Sequence, residues 1–330
     1  MKNLKISSKI LAVVIISLSL IISASAADSL IPLGHTTGIA ISSEGAVVIG
    51  FSEDLSLNPA KNAGIAPGDI IKKVEDKQIF SNSDLIAAVE ESHGKPLTIE
   101  YIRNGKTNTA KLCPAQAEDG KFVLGLWVRD AVAGIGTLTY LNPDDNSYGA
   151  LGHGISDSKT NTLVPLRDGE LFLSTVQSVK KGKAGEPGEL IGSYDTSKTF
   201  ASIAKNMEAG IFGKIKNPDF LRGDSALPIA KHTDIKKGEA TILSNVEGDE
   251  VKEYKIEIMN IYHGGENTKN MLIRATDPEL IEKTGGIVCG MSGSPIIQDG
   301  KIVGAVTHVL VNDPTKGYGI FIENMLDMAG

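Results

Sequence analysis

Short apolar or alternating segments bounded by glycine recur along this chain, and they constrain its fold more than any other feature. Clear examples are residues 45–51, 97–102, 255–262 and 301–307. Segments of this length with turns between them are typical of β-strands. Helical spacing appears only at 83–89, at 200–211 and in short pieces near 278–283 and 322–328. The pattern therefore predicts a mostly β fold with minor α structure.

Length and composition indicate the number of domains and exclude several classes of function. The 330 residues suit two domains better than one, and we place these at 34–115 and 120–330. The net charge of -7, without a long run of Lys or Arg, argues against nucleic acid as a partner. Two cysteines are too few for a disulfide scaffold or a four-cysteine metal site. The sequence predicts no metal and no cofactor.

The N-terminus has the pattern of an export signal. Lysines at positions 2, 5 and 9 precede an apolar stretch at 10–22, and Ala24-Ser25-Ala26 has the small-x-small form of a cleavage site. The apolar stretch is shorter than the roughly 20 residues of a membrane span. We therefore expect residues 1–26 to be a signal peptide. The alternative is an uncleaved anchor that associates with the membrane through 10–22.

Residues 34–115 resemble a PDZ domain of the kind found in bacterial proteases. The resemblance depends on the phrase Asn-Ala-Gly-Ile-Ala-Pro-Gly-Asp-Ile-Ile at 62–71 and on the helix at 83–89 that follows it. It also depends on the hairpin turn at Asn104-Gly105, because both turn residues require positive φ. The resemblance implies a fold that can bind peptides.

The expected mode of peptide binding is strand addition. An extended peptide would lie beside residues 39–41, and its carboxylate would meet backbone N–H groups near Thr37, Gly38 and Ile39. The expected peptide-binding residues are thus Thr37, Gly38, Ile39 and Ala40. The alternative is a PDZ-like fold that acts only as a spacer or clamp.

The sequence around Ser292 predicts a nucleophile. Glycine stands on both sides of the Met291-Ser292 pair, so the backbone can turn sharply and a substrate can approach closely. The N–H groups of Gly290 and Ser292 could then hold the oxyanion of a tetrahedral intermediate. The hairpin at 295–304 completes an arrangement typical of chymotrypsin-like serine proteases.

A serine nucleophile needs a base and a group that orients the base. His153 follows an apolar segment and glycine, and His308 on the strand after the nucleophile is its main rival. Asp277 is the candidate third member, although Thr-Asp-Pro at this point also predicts a helix N-cap. Asp157 and Asp224 are alternatives.

Two residues near Ser292 each have a structural and a functional interpretation. Cys289 is expected to be a small buried residue, and a disulfide with Cys113 is the alternative. Thr307 is expected to be a plain strand residue, and contact with the substrate or the base is the alternative.

The complete pattern is similar to the SpoIVB peptidases, which are sporulation serine proteases of endospore-forming bacteria. The motifs are Tyr-Gly-Ala-Leu-Gly-His-Gly-Ile-Ser-Asp at 148–157 and the segment from Ala275 through the 290–295 loop to the C-terminal helix. The resemblance implies a chymotrypsin-like double β-barrel at 120–330. It also implies that His153 is the base, Ser292 the nucleophile and Asp277 the third member.

The resemblance further implies a place and a role. Such proteins are exported from the forespore into the space between its membranes, where they cleave themselves and a membrane-bound regulatory protein. This cleavage leads to processing of a sigma-factor precursor, and the PDZ domain regulates it. Two other functions remain open. One is an inactive PDZ scaffold, and the other is an HtrA-like quality-control protease, in which the protease domain usually precedes the PDZ domain.

Overall fold

The computed structural model describes residues 29–221, 225–264 and 268–330, so the expected signal segment 1–26, with its stretch 10–22, and Asp224 lie outside the described residues. The strands are β1 (Ser29–Pro32), β2 (Thr36–Phe51), β3 (Ile70–Val74), β4 (Lys77–Gln78), β5 (Leu97–Arg103), β6 (Lys106–Leu112), β7 (Ala115–Gln116), β8 (Phe122–Val123), β9 (Leu126–Leu141), β10 (Ser147–Ala150), β11 (Leu166–Lys180), β12 (Glu189–Met207), β13 (Gly210–Ile215), β14 (Leu227–Pro228), β15 (Gly238–Glu247), β16 (Glu250–Ile261), β17 (Met271–Ala275), β18 (Pro295–Gln298), β19 (Lys301–Val309) and β20 (Lys316–Phe321). The helices are α1 (Pro59–Asn62), α2 (Asn82–Glu90), α3 (Pro278–Thr284) and α4 (Ile322–Ala329), with 3-10 turns at Leu55–Leu57 and Asp219–Leu221.

The C-terminal part forms a closed six-stranded barrel. Its strands pair antiparallel in the order β15-β16-β17-β20-β19-β18. The inward positions are filled by branched apolar side chains, among them Ile242, Ile258 and Ile273, none of which is exposed to solvent. Closure leaves no free strand edge around the barrel.

A second closed ring of six antiparallel strands precedes it. The order is β2-β9-β10-β13-β12-β11, and β11 returns to pair with β2. Its core contains Ile41, Leu138 and Ile211, which are likewise inaccessible to solvent. The predicted fold class is confirmed: the chain is mostly β, with a PDZ domain and a double β-barrel.

The PDZ domain is inserted between the two halves of one barrel hairpin. The first part of β2 and the second part of β9 belong to the barrel, where Thr36 lies opposite Thr137. The second part of β2 and the first part of β9 enter the PDZ domain, where Phe51 lies opposite Leu126. Strands β3, β5 and β6 and helix α2 complete the domain between them.

Local signals in the PDZ domain agree with their predictions. Ser81 and Asp84 form a reciprocal capping box at the start of α2. Asn104 and Gly105 both have positive φ, of 50° and 73°, as the tight turn between β5 and β6 requires. Within the described ranges, no helix is long and apolar enough to span a membrane.

Three predictions are corrected by the strand pairing. The predicted domain boundary at 34 is wrong, since residues 36–43 belong to the first barrel. The predicted peptide edge is also wrong: Thr37, Gly38, Ile39 and Ala40 lie between β9 on one side and β11 on the other, so their backbone has no free edge. The helical spacing at 200–211 belongs to β12 and β13, whose pairing shifts register between Ile203 and Lys205.

Candidate active site

The loop that carries Ser292 lies between the two barrels. It follows α3 and precedes β18, and Met291 anchors it with a side chain that is fully buried in the second barrel's core. Gly293 must be glycine, because a Cβ there would lie 2.0 Å from the carbonyl oxygen of Thr137 on β9. The two barrels therefore meet at the loop that carries Ser292.

Hydrogen bonds engage nearly every peptide group of this loop. They are Cys289 N to Gly188 O (2.9 Å), Leu190 N to Cys289 O (2.9 Å), Thr137 Oγ1 to Gly290 O (2.7 Å), Met291 N to Val288 O (3.1 Å), Ser294 N to Met291 O (2.9 Å), Thr137 N to Ser292 O (3.0 Å) and Gly293 N to Val306 O (2.8 Å). Within the described chain, the N–H groups of Gly290 and Ser292 donate to no protein atom.

These two N–H groups have the character of an oxyanion hole. The carbonyl and the N–H of one trans peptide point in opposite directions. Since the carbonyls of Cys289 and Met291 are held by Leu190 and Ser294, the N–H groups of Gly290 and Ser292 point away from those partners. Two unpaired donors beside a serine hydroxyl are what a developing oxyanion requires.

The Ser292 hydroxyl is held by a backbone carbonyl. Ser292 Oγ donates to Thr307 O at 2.6 Å, whereas Thr307 Oγ1 donates to Thr268 O. Thr307 thus contributes its carbonyl to the site, and its side chain has a structural partner. Reaction with a substrate requires Ser292 to turn from this carbonyl toward a base.

His153 faces the same cleft from the first barrel. It follows a tight turn at the end of β10, in which Leu151 and Gly152 both have positive φ, of 71° and 68°. The ring Nδ1 lies 3.0 Å from Gly154 O, so Nδ1 carries the proton and Nε2 is left as the acceptor. The Gly154 carbonyl therefore selects the tautomer that a general base needs.

The electrostatics of the cleft favour a neutral His153. Desolvation lowers the pKa of His153 from its ordinary value of 6.5, and the Gly154 carbonyl offsets this only in part. The ring of His308 lies 5.1 Å away, so a second positive charge there would lower the pKa further. His308 lines the cleft beside His153 and remains the rival base.

The cleft around these groups has a volume of about 390 Å³ and no charged lining side chain among the described residues. Its walls include Val132 and Ile135 from β9, and Ile287 and Val309 from the second barrel. A neighbouring recess shares Cys289 and Gly290 with it and adds Glu189. An extended chain with uncharged side chains fits this lining.

Asp277 occupies the N-cap of α3. Its Oδ1 accepts from Glu279 N at 2.9 Å and Leu280 N at 3.3 Å, and its Oδ2 accepts from Lys255 N at 3.2 Å. The hydrogen bond to His153 that the family resemblance implies is not made, and Asp277 does not line the cleft. Asp277 is the N-cap of α3, as the alternative prediction stated.

Asp157 is also engaged elsewhere. Its side chain is buried, forms an ion pair with Arg129 of β9 at 2.8 Å and accepts hydrogen bonds from Lys159 and Thr160. Burial raises the pKa of Asp157, but these hydrogen bonds and Arg129 lower it by more. Asp157 therefore ties the segment after His153 to the first half of β9.

The cysteines do not pair. Cys113 and Cys289 are both free and exposed, so the buried position expected for Cys289 is wrong and the alternative disulfide is absent. Partial desolvation of the thiol raises the pKa of Cys289, and the negative charge of Glu189 raises it further. Cys289 is thus a weaker nucleophile than its position suggests.

Sequence reasoning found Ser292, His153 and Gly290 but missed Thr137. Thr137 lies in β9 and looks like any strand threonine, because its two bonds to the nucleophile loop depend on how the barrels meet. The one signal in the sequence is that a polar residue stands within a run of glycine and apolar residues.

Comparisons with known proteins agree with this architecture. The family model of SpoIVB peptidase S55 matches residues 120–326, and that of the PDZ domain matches 41–113. The "Putative zinc metalloprotease NMA0084" of Neisseria meningitidis is 36% identical over 61 residues, which are 18% of this chain and only 14% of that protein's length.

Solved structures show more distant likeness. The active form of the Rv3671c protease of Mycobacterium tuberculosis is 16% identical, with a TM-score of 0.36, over 60% of this chain and 75% of that one. The PDZ domain of an SdrC-like protein from Listeria monocytogenes is 20% identical, with a TM-score of 0.23, over 27% of this chain and 90% of that one.

Substitutions of Asp277 separate the cap from a triad role. We expect Asp277→Asn to retain peptide hydrolysis, because Asn also caps helices, and to lose only the hydrogen bond that Asp277 Oδ2 accepts from Lys255 N. Asp277→Ala should lower the free energy of unfolding by about 1 kcal/mol. Urea unfolding and hydrolysis of a reporter peptide measure the two effects. A stable Asp277→Asn protein whose hydrolysis falls by about 10⁴-fold would instead assign the triad role.

Proposed function

Because the chain belongs to the SpoIVB peptidase S55 family of serine peptidases, we propose that it is an endopeptidase with Ser292 as nucleophile. The observation that carries this proposal is the pair of unpaired N–H groups, of Gly290 and Ser292, in a loop whose other peptide groups are engaged. A carbonyl carbon placed near Ser292 Oγ would put its oxygen within reach of both donors.

The proposed mechanism follows the serine-protease sequence. His153 Nε2 takes the proton of Ser292 Oγ as the oxygen attacks the substrate carbonyl, and the oxyanion is held by the Gly290 and Ser292 N–H groups. His153 then gives the proton to the leaving amine, and water releases the acyl group by the same steps. The Gly154 carbonyl keeps the His153 tautomer throughout. Asp277 has no step in this sequence, because its carboxylate caps helix α3.

The PDZ domain in this proposal binds peptide at β9. The groove lies between α2 and the first residues of β9, has a volume of about 610 Å³ and is lined by Leu85, Ile86, Leu126 and Trp127. The Gly125 carbonyl accepts from Ser52 N, so the N–H of Leu126 points the opposite way, toward the unpaired edge of the strand. This edge replaces the predicted one at 37–40.

Regulation by the PDZ domain is part of the proposal. Strand β9 forms a wall of the groove at Leu126 and Trp127, and a wall of the cleft at Val132 and Ile135. A ligand that orders the first part of β9 would change the part that touches the nucleophile loop. This continuity supports control of cleavage by peptide binding.

The finer physiological role rests on the family motifs. We propose that the protein is exported to the space between forespore and mother-cell membranes, with or without a retained anchor at 10–22. There it would cleave itself and a membrane-bound sporulation regulatory protein, and so signal the processing of a sigma-factor precursor. An uncharged cleft lining favours uncharged residues around the cleaved bond.

A second candidate function is an inactive PDZ scaffold. The observation that favours it is the Ser292 hydroxyl bonded to Thr307 O, together with a His153 ring that no carboxylate of residues 29–221, 225–264 or 268–330 contacts. Normal sporulation of cells that carry Ser292→Ala would support the scaffold.

The decisive variant is Ser292→Ala. We expect it to abolish self-cleavage and fluorophosphonate labelling and to lower peptide hydrolysis by about 10⁴-fold or more. Ser294→Ala is the matched control, because Ser294 is two residues away and its hydroxyl contacts only Ser244. Mass mapping of the incubated proteins measures self-cleavage. Equal self-cleavage by Ser292→Ala and wild type would exclude this nucleophile.

Occupancy of the PDZ groove can be read from fluorescence. Trp127 is the single tryptophan and is 61% exposed at the groove, so a bound peptide should change its emission. We expect Ile86→Glu to weaken binding of a peptide with a free, apolar C-terminus. Ile281→Glu, on α3 outside the groove, is the control. Equal binding by the free-acid and amidated peptides would argue against capture of the carboxylate.

The pH dependence follows from the lowered pKa of His153. A base must be neutral, and a lowered pKa means that more than half of the His153 rings are neutral at pH 6.5. We expect kcat/KM to fall with decreasing pH, with a midpoint below 6.5. The fall should persist in His308→Gln. A midpoint above 6.5, or one that vanishes in His308→Gln, would contradict this assignment.

A further inference from the structure

Thr137 makes three hydrogen bonds at the junction of the two barrels. Its Oγ1 donates to Gly290 O at 2.7 Å and its N–H donates to Ser292 O at 3.0 Å. Its carbonyl accepts from Leu151 N at 3.1 Å, in the turn that precedes His153. The residue is fully buried. One strand residue thus contacts both the nucleophile loop and the turn that presents His153.

The bond to Gly290 O restrains a glycine of the loop. Gly290 has a φ of 98°, in a region where glycine changes conformation at little cost. Without a partner for the Gly290 carbonyl, the adjacent peptide units could rotate and move the N–H groups that face the cleft. Among the seven hydrogen bonds described above for the peptide groups of residues 289–293, only the one to Gly290 O has a side-chain donor, the Thr137 hydroxyl.

We propose that Thr137 is a positioning residue whose hydroxyl holds the Gly290 carbonyl, so that the N–H groups of Gly290 and Ser292 converge on the oxyanion. The inference rests on the proposed peptidase function. The hydroxyl acts on the transition state through the loop and does not touch the substrate. Removing it should therefore reduce kcat and leave KM nearly unchanged.

The chain supplies a matched pair for the test. Thr137→Val keeps the shape and removes the hydroxyl, and Thr137→Ser keeps the hydroxyl. Thr139→Val is the control, since Thr139 is buried on the same strand and its Oγ1 has no hydrogen-bond partner. We expect Thr137→Val to lower kcat by about 10- to 100-fold with KM within about twofold. Thr137→Ser and Thr139→Val should stay close to wild type.

A second measurement separates oxyanion binding from a general loss of structure. A peptide trifluoromethyl ketone forms a hemiketal with Ser292 and places an oxyanion in the hole, whereas a product peptide does not. The affinity of Thr137→Val for the ketone should fall in parallel with kcat, and its affinity for the product peptide should not change.

Several outcomes overturn the inference. The first is equal kcat in Thr137→Val and Thr139→Val, and the second is a Thr137→Ser protein as impaired as Thr137→Val. If Thr137→Val fails to fold by circular dichroism, Thr137→Ser and Thr137→Ala replace it, and equal kcat in these two overturns the inference. If wild type neither hydrolyses peptides nor reacts with fluorophosphonate, the proposed function fails and this inference fails with it.

Discussion

The structure depends on the hydrogen bonds that join the nucleophile loop to strand β9. Ser292 comes from the second barrel and His153 from the first, so neither barrel contains a complete site. A buried loop must pair its peptide groups, and each such bond contributes on the order of 1 kcal/mol. Thr137 and Leu190 of the first barrel and Val306 of the second supply partners. The site is therefore assembled by the same bonds that dock the barrels.

Much of the fold could be predicted, because its signals are local. The capping box at Ser81 and the turn at Asn104-Gly105 require only neighbouring residues, and both are present. Alternation identifies a strand but not its partners, so residues 36–43 were assigned to the wrong domain. The false helix at 200–211 has a related cause, because a register shift near Ile203 breaks the two-residue repeat of a strand.

The residues of the candidate site likewise include some that local sequence predicts and one that it does not. Gly290, Ser292 and His153 stand in short motifs, and the structure brings them to one cleft. The role of Thr137 could not be predicted, since its partner Gly290 lies far along the chain and in the other barrel. Asp277 had two predicted roles, and the one that needs only adjacent residues is the one present. Contacts within a few residues are encoded locally, whereas those between the barrels are not.

The insertion of the PDZ domain between β2 and β9 has a consequence for how the molecule responds to being cut. A domain joined by one linker is lost when that linker is severed. Here both ends of the PDZ segment continue into paired strands of one barrel, with Ser42 opposite Ala131 just before the pairing shifts register and continues into the PDZ domain. A single break in an exposed PDZ loop would leave two fragments that the barrel still holds together. A cut within this domain would thus alter the groove without releasing it.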